Sequence, residues 1–199
     1  PVADTAAAPA TAVHPDQATI DDMVVANRIL STEVGILDIQ GHVTARSRVN
    51  PNRYFIARFI APGDATTSDV IENDLDSNAV EGPRNDQARE TYLHGEIFKA
   101  RPDVMAIVHS HTAEFVAFSM SSVPLFSGEN RMPVWDIRMF NKDRPGIVST
   151  PALGAAMAKG LGGAEGVLLW GHGIALTSST LPDLVSRAIN LRTTARAQQ

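Results

Sequence analysis

Apolar positions along this chain change period repeatedly, and each change marks an element. Met23, Val24, Ile29 and Leu30 fall on one helical stripe, with Thr19 placed to cap it and Asp21 and Asp22 in its first turn. Val43–Arg46 and Tyr54–Ile60 flank Asn50-Pro51-Asn52 as the two arms of a hairpin. Thr67-Ser68-Asp69 predicts a single helical turn ahead of Leu75, and Asp76-Ser77-Asn78 a turn into the next strand. Leu93, Ile97 and Phe98 then recur at helical spacing, which puts Glu90 and His94 on one face, a turn apart. Arg101-Pro102-Asp103 ends that helix. Val104 to Val108 has the length and largely β-branched content of a buried strand.

Beyond it, Ala113–Met120 predicts a helix, and Pro133–Ile137 a strand entering the loop Asn141–Gly146. Pro151–Leu161 predicts a short helix stopped by Gly162-Gly163, followed by a strand over Gly166–Leu169 and a closing amphipathic helix over Leu181–Gln199. Strands and helices are mixed without regular βαβ alternation. This predicts an α/β (α+β layered) fold with a central, mostly antiparallel sheet flanked by helices. No internal repeat or linker divides the chain, so residues 18–199 form a single domain. Residues 1–17, rich in Ala, Pro and Thr without a periodic apolar face, predict a flexible N-terminal arm.

Composition narrows the partners. The chain has 199 residues with 44% hydrophobic content, enough for a sizeable core without disulfides. A net charge of −5 without a basic cluster argues against nucleic acid and anionic membranes, and no apolar run approaches the roughly 18 residues of a membrane span. The absence of cysteine excludes disulfides and thiolate chemistry but fits either a reducing or an oxidising compartment. A start at Pro1 fits removal of an export signal, loss of an initiator Met, or trimming. Export is the preferred expectation for this soluble chain, with periplasmic and cytoplasmic locations both left open.

The chemistry concentrates in His109-Ser110-His111. Alternation on a strand points both imidazoles to one side and Ser110 to the other, so the pair can converge on one cation. The tripeptide alone fits two ordinary half-buried histidines equally well. His172, between Gly171 and Gly173 after the apolar run Gly166–Leu169, supplies a third imidazole on backbone that can bend and approach closely. Three His on strands leave a coordination position open, as in a catalytic rather than a structural metal site.

Glu90, the helix bearing His94, Ala100-Arg101-Pro102-Asp103, His109-x-His111 and Gly171-His172-Gly173 together resemble the class II aldolase/adducin family. The likeness runs from about Ile20 through Gly41-His42-Val43-Thr44-Ala45-Arg46 to near Arg196. It implies a class II aldolase-like fold and one divalent metal ion per subunit held by His109, His111 and His172, with Glu90 as the proton-transfer residue. Zinc and manganese are the leading metals. It also implies a homotetramer with sites at subunit boundaries.

Departures from the aldolase pattern bear on substrate. Sugar-phosphate aldolases of the family carry Ser-Ser before the catalytic Glu and Gly-Asn in the first motif; here Ala88-Arg89 and Gly41-His42 stand instead. An Arg and a His in place of hydroxyls and an amide favour a planar carboxylate over a phosphate. The final helix also lacks the Tyr that such aldolases supply to a neighbour. These features, with Asp74–Val80 and Leu93–Phe98, resemble the family's aromatic dicarboxylate decarboxylase branch, which acts on dihydroxyphthalate or hydroxypyridine dicarboxylate.

The expected activity is a metal-dependent carbon–carbon lyase of aromatic compound catabolism, decarboxylating a hydroxylated aromatic or heteroaromatic carboxylate through an enolate stabilised by the cation. The alternatives are an aldolase, epimerase or dehydratase on a non-phosphorylated hydroxy-carbonyl compound, and an adducin-like interaction module. His42, Arg89 and Arg46 are the candidate substrate contacts, against the commoner fates of a structural histidine and of solvated arginines. His94 is expected as a buried polar or supporting group.

Overall fold

The strand carrying His109 organises the architecture. In a computed structural model of the chain, which describes residues 13–83, 86–140 and 146–199, this strand is β5 (Ala106–Ser110). Before it come β1 (His42–Arg46), β2 (Arg53–Ala57), β3 (Val70–Asp74) and β4 (Ala79–Glu81). After it come β6 (Phe126–Ser127), β7 (Asn130–Arg131), β8 (Val134–Trp135), β9 (Gly166–Leu169) and β10 (Gly173–Ser178). The helices are α1 (Gln17–Arg28), α2 (Thr91–Ala100), α3 (Ala113–Met120), α4 (Pro151–Leu161) and α5 (Leu181–Gln198). Among the described residues, eight strands form one sheet in the order β4-β3-β2-β1-β5-β10-β9-β8, while β6 and β7 pair separately. Every pairing in the large sheet is antiparallel except β8 with β9, in agreement with the expected fold.

Alternation divides the core into two layers. Val43, Ala45, Phe55, Val108, Ile174 and Leu176 share a cluster with α1, α3 and α5. Tyr54, Ile56, Ile107, Val167, Leu169 and Ala175 share the other with α2 and α4. Because side chains on a strand repeat every two residues, His42, Thr44, Ile107 and His109 lie on the α2 side of the sheet. The β1–β5 register sets His42 directly opposite His109. Gly154 lets α4 settle against α2, since a Cβ there would stand 2.6 Å from the Tyr92 carbonyl oxygen.

Several boundaries differ from the expectation. Helix α1 begins at Gln17, after Asp16 rather than Thr19. The Asp16 carboxylate accepts from Ser47 Oγ at 2.5 Å and Arg48 N at 2.8 Å, pinning a residue assigned to the arm; residues 1–12 lie outside the described residues. Strand β2 ends at Ala57, not Ile60. Strand β3 was not predicted at all: it carries Glu72-Asn73-Asp74 and owes its form to pairing along β2. Over Pro133–Ile137 only Val134–Trp135 is strand, because Asp136 accepts from Arg138 N and turns the chain into a 3-10 segment, Ile137–Met139. The loop predicted next falls largely on residues 141–145, outside the described residues.

Arg46 is the clearest correction to a candidate contact. It sits four residues along β1 from His42, at the opposite end of the strand, and is 4% exposed. Its guanidinium donates to the carbonyls of Val104, Pro51, Phe98 and Arg101 and lies 4.7 Å from the Phe98 ring centre. It ties β1 to the end of α2, with four of its five N–H donors taken by backbone carbonyls. Arg46→Ala should therefore destabilise the fold by roughly 2–4 kcal/mol, since buried carbonyls lose their donors. Arg46→Lys should recover only part of this, because one ammonium cannot span diverging carbonyls. Urea unfolding curves measure both; a loss in Arg46→Ala below about 0.5 kcal/mol, the usual range for surface substitutions, would refute the assignment.

Candidate metal centre

Local folding brings three imidazoles and one carboxylate to a point. His109 is the penultimate residue of β5 and fully buried. His111 follows one residue past the strand and keeps the same side, while Ser110 turns away to donate to the Ile36 carbonyl at 2.7 Å. His172 lies in the turn joining β9 to β10 rather than on a strand, with Gly171 at φ +64° allowing the bend. Glu90 stands at the N-cap position of α2 and is 8% exposed. Its Oε1 accepts from Val148 N at 2.9 Å, which leaves Oε2 facing the histidines.

The separations are those of a shared ligand set. His109 Nε2 is 2.9 Å from His111 Nε2 and 3.1 Å from His172 Nε2, and the last two are 3.2 Å apart. Glu90 Oε2 is 3.2 Å from both His109 Nε2 and His172 Nε2. The Nδ1 of His109 is 3.0 Å from the Ile174 carbonyl, which can only accept, so the proton of a neutral ring sits there and Nε2 presents a lone pair. His111 is oriented alike by Asp38, whose Oδ1 is 3.1 Å from its Nδ1. Lone pairs packed against lone pairs need positive charge between them. Metal–nitrogen bonds of roughly 2.0–2.2 Å separate adjacent nitrogens by about 2.8–3.6 Å for angles between about 90° and the tetrahedral value, so these residues fit a divalent cation.

Electrostatics point the same way. Burial works to raise the Glu90 carboxyl, but the adjoining histidines, His109 first, outweigh it and hold the group well below its usual range. Burial lowers His109 more than the neighbouring Glu90 raises it. His111 ends above its ordinary value, because the nearby Glu90 and Asp38 carboxylates overcome burial. The cluster thus keeps its carboxylate ionised and draws a cation, be it proton or metal.

Beside Glu90 and His172 opens a cavity of about 420 Å³. Gln40, His42, Phe59, Ala88, Arg89 and Ile147 form much of its wall. Two of the three candidate contacts, His42 and Arg89, are therefore at the site, and Arg46 is not. His42 Nδ1 lies 2.9 Å from the Gln40 carbonyl and so carries a proton, while Nε2 is buried without a partner. His94 packs beneath, its ring 4.6 Å from that of His42 and its Nδ1 2.8 Å from Thr44 Oγ1. Gln40, Phe59, Gln87, Ile147 and Asp38 were not singled out from sequence; of these only Asp38, two residues before Gln40-Gly41, carried a local signal, that of an Asx turn.

Residues 21–199 match the family described as Class II Aldolase and Adducin N-terminal domain. The chain belongs to this family. Among curated relatives, it is 27% identical over 175 residues to the decarboxylase tropJ of Talaromyces stipitatus, covering 77% of this chain and 65% of the relative. It is 35% identical over 120 residues to the decarboxylase NovR of Streptomyces niveus, covering 58% and 44%. It is 28% identical over 190 residues to the 3,4-dihydroxyphthalate decarboxylase of Arthrobacter keyseri, covering 87% and 74%. The chain thus spans less than two thirds of the length of the first two relatives. An aldolase II superfamily protein from Pseudomonas syringae shares the fold, with a TM-score of 0.79 at 20% identity over 94% of this chain and 76% of the other. Class II aldolase/adducin relatives include lyases, epimerases and dehydratases. Among the described residues, no helix is long and apolar enough to cross a membrane.

Burial, and then the nearby His109, depress His42 from 6.5 to about 4. A cation at the cluster would act in the same direction. The unfolded chain therefore takes up this proton first, and stability drains as pH falls from about 6.5 toward 4. The ring signals of His42 in a proton NMR titration of folded protein should stay flat above about pH 5; titration near 6.5 would contradict the neutral assignment.

Proposed function

We propose that this chain is a divalent-metal-dependent carboxy-lyase acting on a hydroxylated aromatic or heteroaromatic carboxylate. The observation that carries this reading is the wall of the 420 Å³ cavity. It offers Phe59, 52% exposed, with Ala88 and Ile147 as apolar surface, and Arg89 as a cation with no acidic partner among the described residues. Asp86 also lines it, but has Arg58 at 3.7 Å. No hydroxyl side chain lines this cavity among the described residues, so nothing resembles a phosphate cradle. A flat ring with a carboxylate suits this wall in shape and charge.

In this reading His109, His111 and His172 hold the cation, zinc first and manganese second, with Glu90 Oε2 at its edge. The metal supplies Lewis-acid stabilisation of the negative charge that develops on a substrate oxygen. Arg89 clamps a carboxylate, and the neutral His42 presents Nε2 to accept a ring hydroxyl. Glu90, ionised and held by Val148 N, takes the hydroxyl proton as substrate binds. When the carbon–carboxylate bond breaks, carbon dioxide leaves, the electron pair stays on the ring carbon, and Glu90 returns the proton there. Homotetrameric assembly and a place in aromatic catabolism belong to the same proposal. The decarboxylase names among the relatives support it.

Inductively coupled plasma mass spectrometry of wild type and His109→Ala, followed by carbon dioxide release from hydroxylated aromatic acids, tests the reading. Near-stoichiometric metal absent from the variant, with carbon dioxide from wild type alone, is expected. Metal without carbon dioxide would move the assignment to aldol-type cleavage, and no metal even after reconstitution would leave an interaction module. Glu90→Gln should keep bound metal while kcat falls roughly 10²–10⁴-fold. Arg89→Ala should raise KM roughly 10- to 100-fold with little change in kcat, as loss of a charged hydrogen bond made throughout the reaction requires; an unchanged KM would remove Arg89 from the site.

A further inference from the structure

Asp38 lies outside the cluster, in the segment between α1 and β1, at the border of a second cavity of about 700 Å³ that His111 also lines. One oxygen of its carboxylate does three things. Oδ1 lies 3.1 Å from His111 Nδ1, and it accepts from Gln40 N at 3.0 Å and from Gly41 N at 2.7 Å. The last two bonds close the turn that delivers Gln40 to the substrate cavity and His42 to the start of β1. Gly41 is required for this fit: a Cβ there would stand 2.9 Å from Leu37 Cδ2, 3.1 Å from the His109 carbonyl and 3.3 Å from Asp38 Oδ1. The same oxygen is thus anchored by the turn and aimed at the imidazole.

We propose that Asp38 is a positioning residue for the cation site, fixing the tautomer and ring orientation of His111 so that its Nε2 lone pair faces His109 and His172. This rests on the metal-dependent reading above and adds to it the outer support of one ligand. A ligating histidine whose other nitrogen donates to a carboxylate is held in register and made a better electron donor. His109 obtains the same orientation from the Ile174 carbonyl, a neutral acceptor on the neighbouring strand. Asp38 also links ligand and cavity wall, since displacing it would release both His111 and the Gln40–His42 turn. With its side chain 51% exposed, it contributes little to overall stability as an ion pair.

The test measures zinc and manganese affinity by competition with a chromophoric chelator, on wild type, His109→Ala, Asp38→Ala and Asp38→Asn. Asparagine keeps an uncharged Oδ1 for His111 Nδ1 and for the two backbone amides, whereas alanine removes all three contacts. Asp38→Ala should weaken metal binding roughly 10- to 100-fold, and Asp38→Asn should recover most of that loss. The metal-free Asn variant should unfold at the same urea concentration as metal-free wild type. Wild-type affinity in Asp38→Ala would show that His111 is oriented without Asp38 and would overturn the proposal. Failure of wild type to bind either metal, or binding undiminished in His109→Ala, would overturn the metal reading itself and this inference with it.

Discussion

Three imidazole nitrogens and a carboxylate oxygen meet at contact distance, and this packing of electron pairs constrains everything around it. The nitrogens lie 2.9–3.2 Å apart. Such a cluster is tolerable only with positive charge inside it, and three of its four members are held from behind. Each support comes from a different part of the chain: Ile174 on β10 for His109, Asp38 before β1 for His111, and the Val148 amide for Glu90. The sheet order β1-β5-β10 makes the first two of these supports neighbours.

The cavity beside the cluster has a different character from the cluster itself. His42 and His94 are buried and uncharged at neutral pH, with burial as the leading cause in both. Neutral rings beside the cluster cost less to bury than charged ones. Glu90 joins the two regions through its two oxygens, one held by backbone and one facing the histidines.

Much of the site was legible because its chemistry depends on short-range periodicity. A spacing of two on a β-branched strand put His109 and His111 on one side, whereas His172, expected on a strand, lies in a turn that its flanking glycines allow. Helices with strong stripes or clear stops, α3 and α4, agree with expectation to the residue. What failed had weak local signals. Strand β3 runs Val-Ile-Glu-Asn-Asp, whose polar half adopts strand form only because β2 offers it hydrogen bonds. Arg46 carried no local sign that carbonyls from three other segments would consume its guanidinium.

By itself, then, the sequence determined the inventory: which side chains can ligate, which strand faces they share, and that no basic surface or thiol competes with them. Those are properties of composition and of a two-residue repeat, and both are local. The tertiary structure decided convergence and exclusion. It brought Glu90, His109, His111 and His172 within reach of one cation, turned Asp38 onto His111, opened a wall of Phe59, Ile147 and Arg89 beside them, and removed Arg46 from the site. The reason is that distances between residues far apart in sequence are set by strand order and register, which depend on the packing of both core layers against the sheet rather than on any one segment.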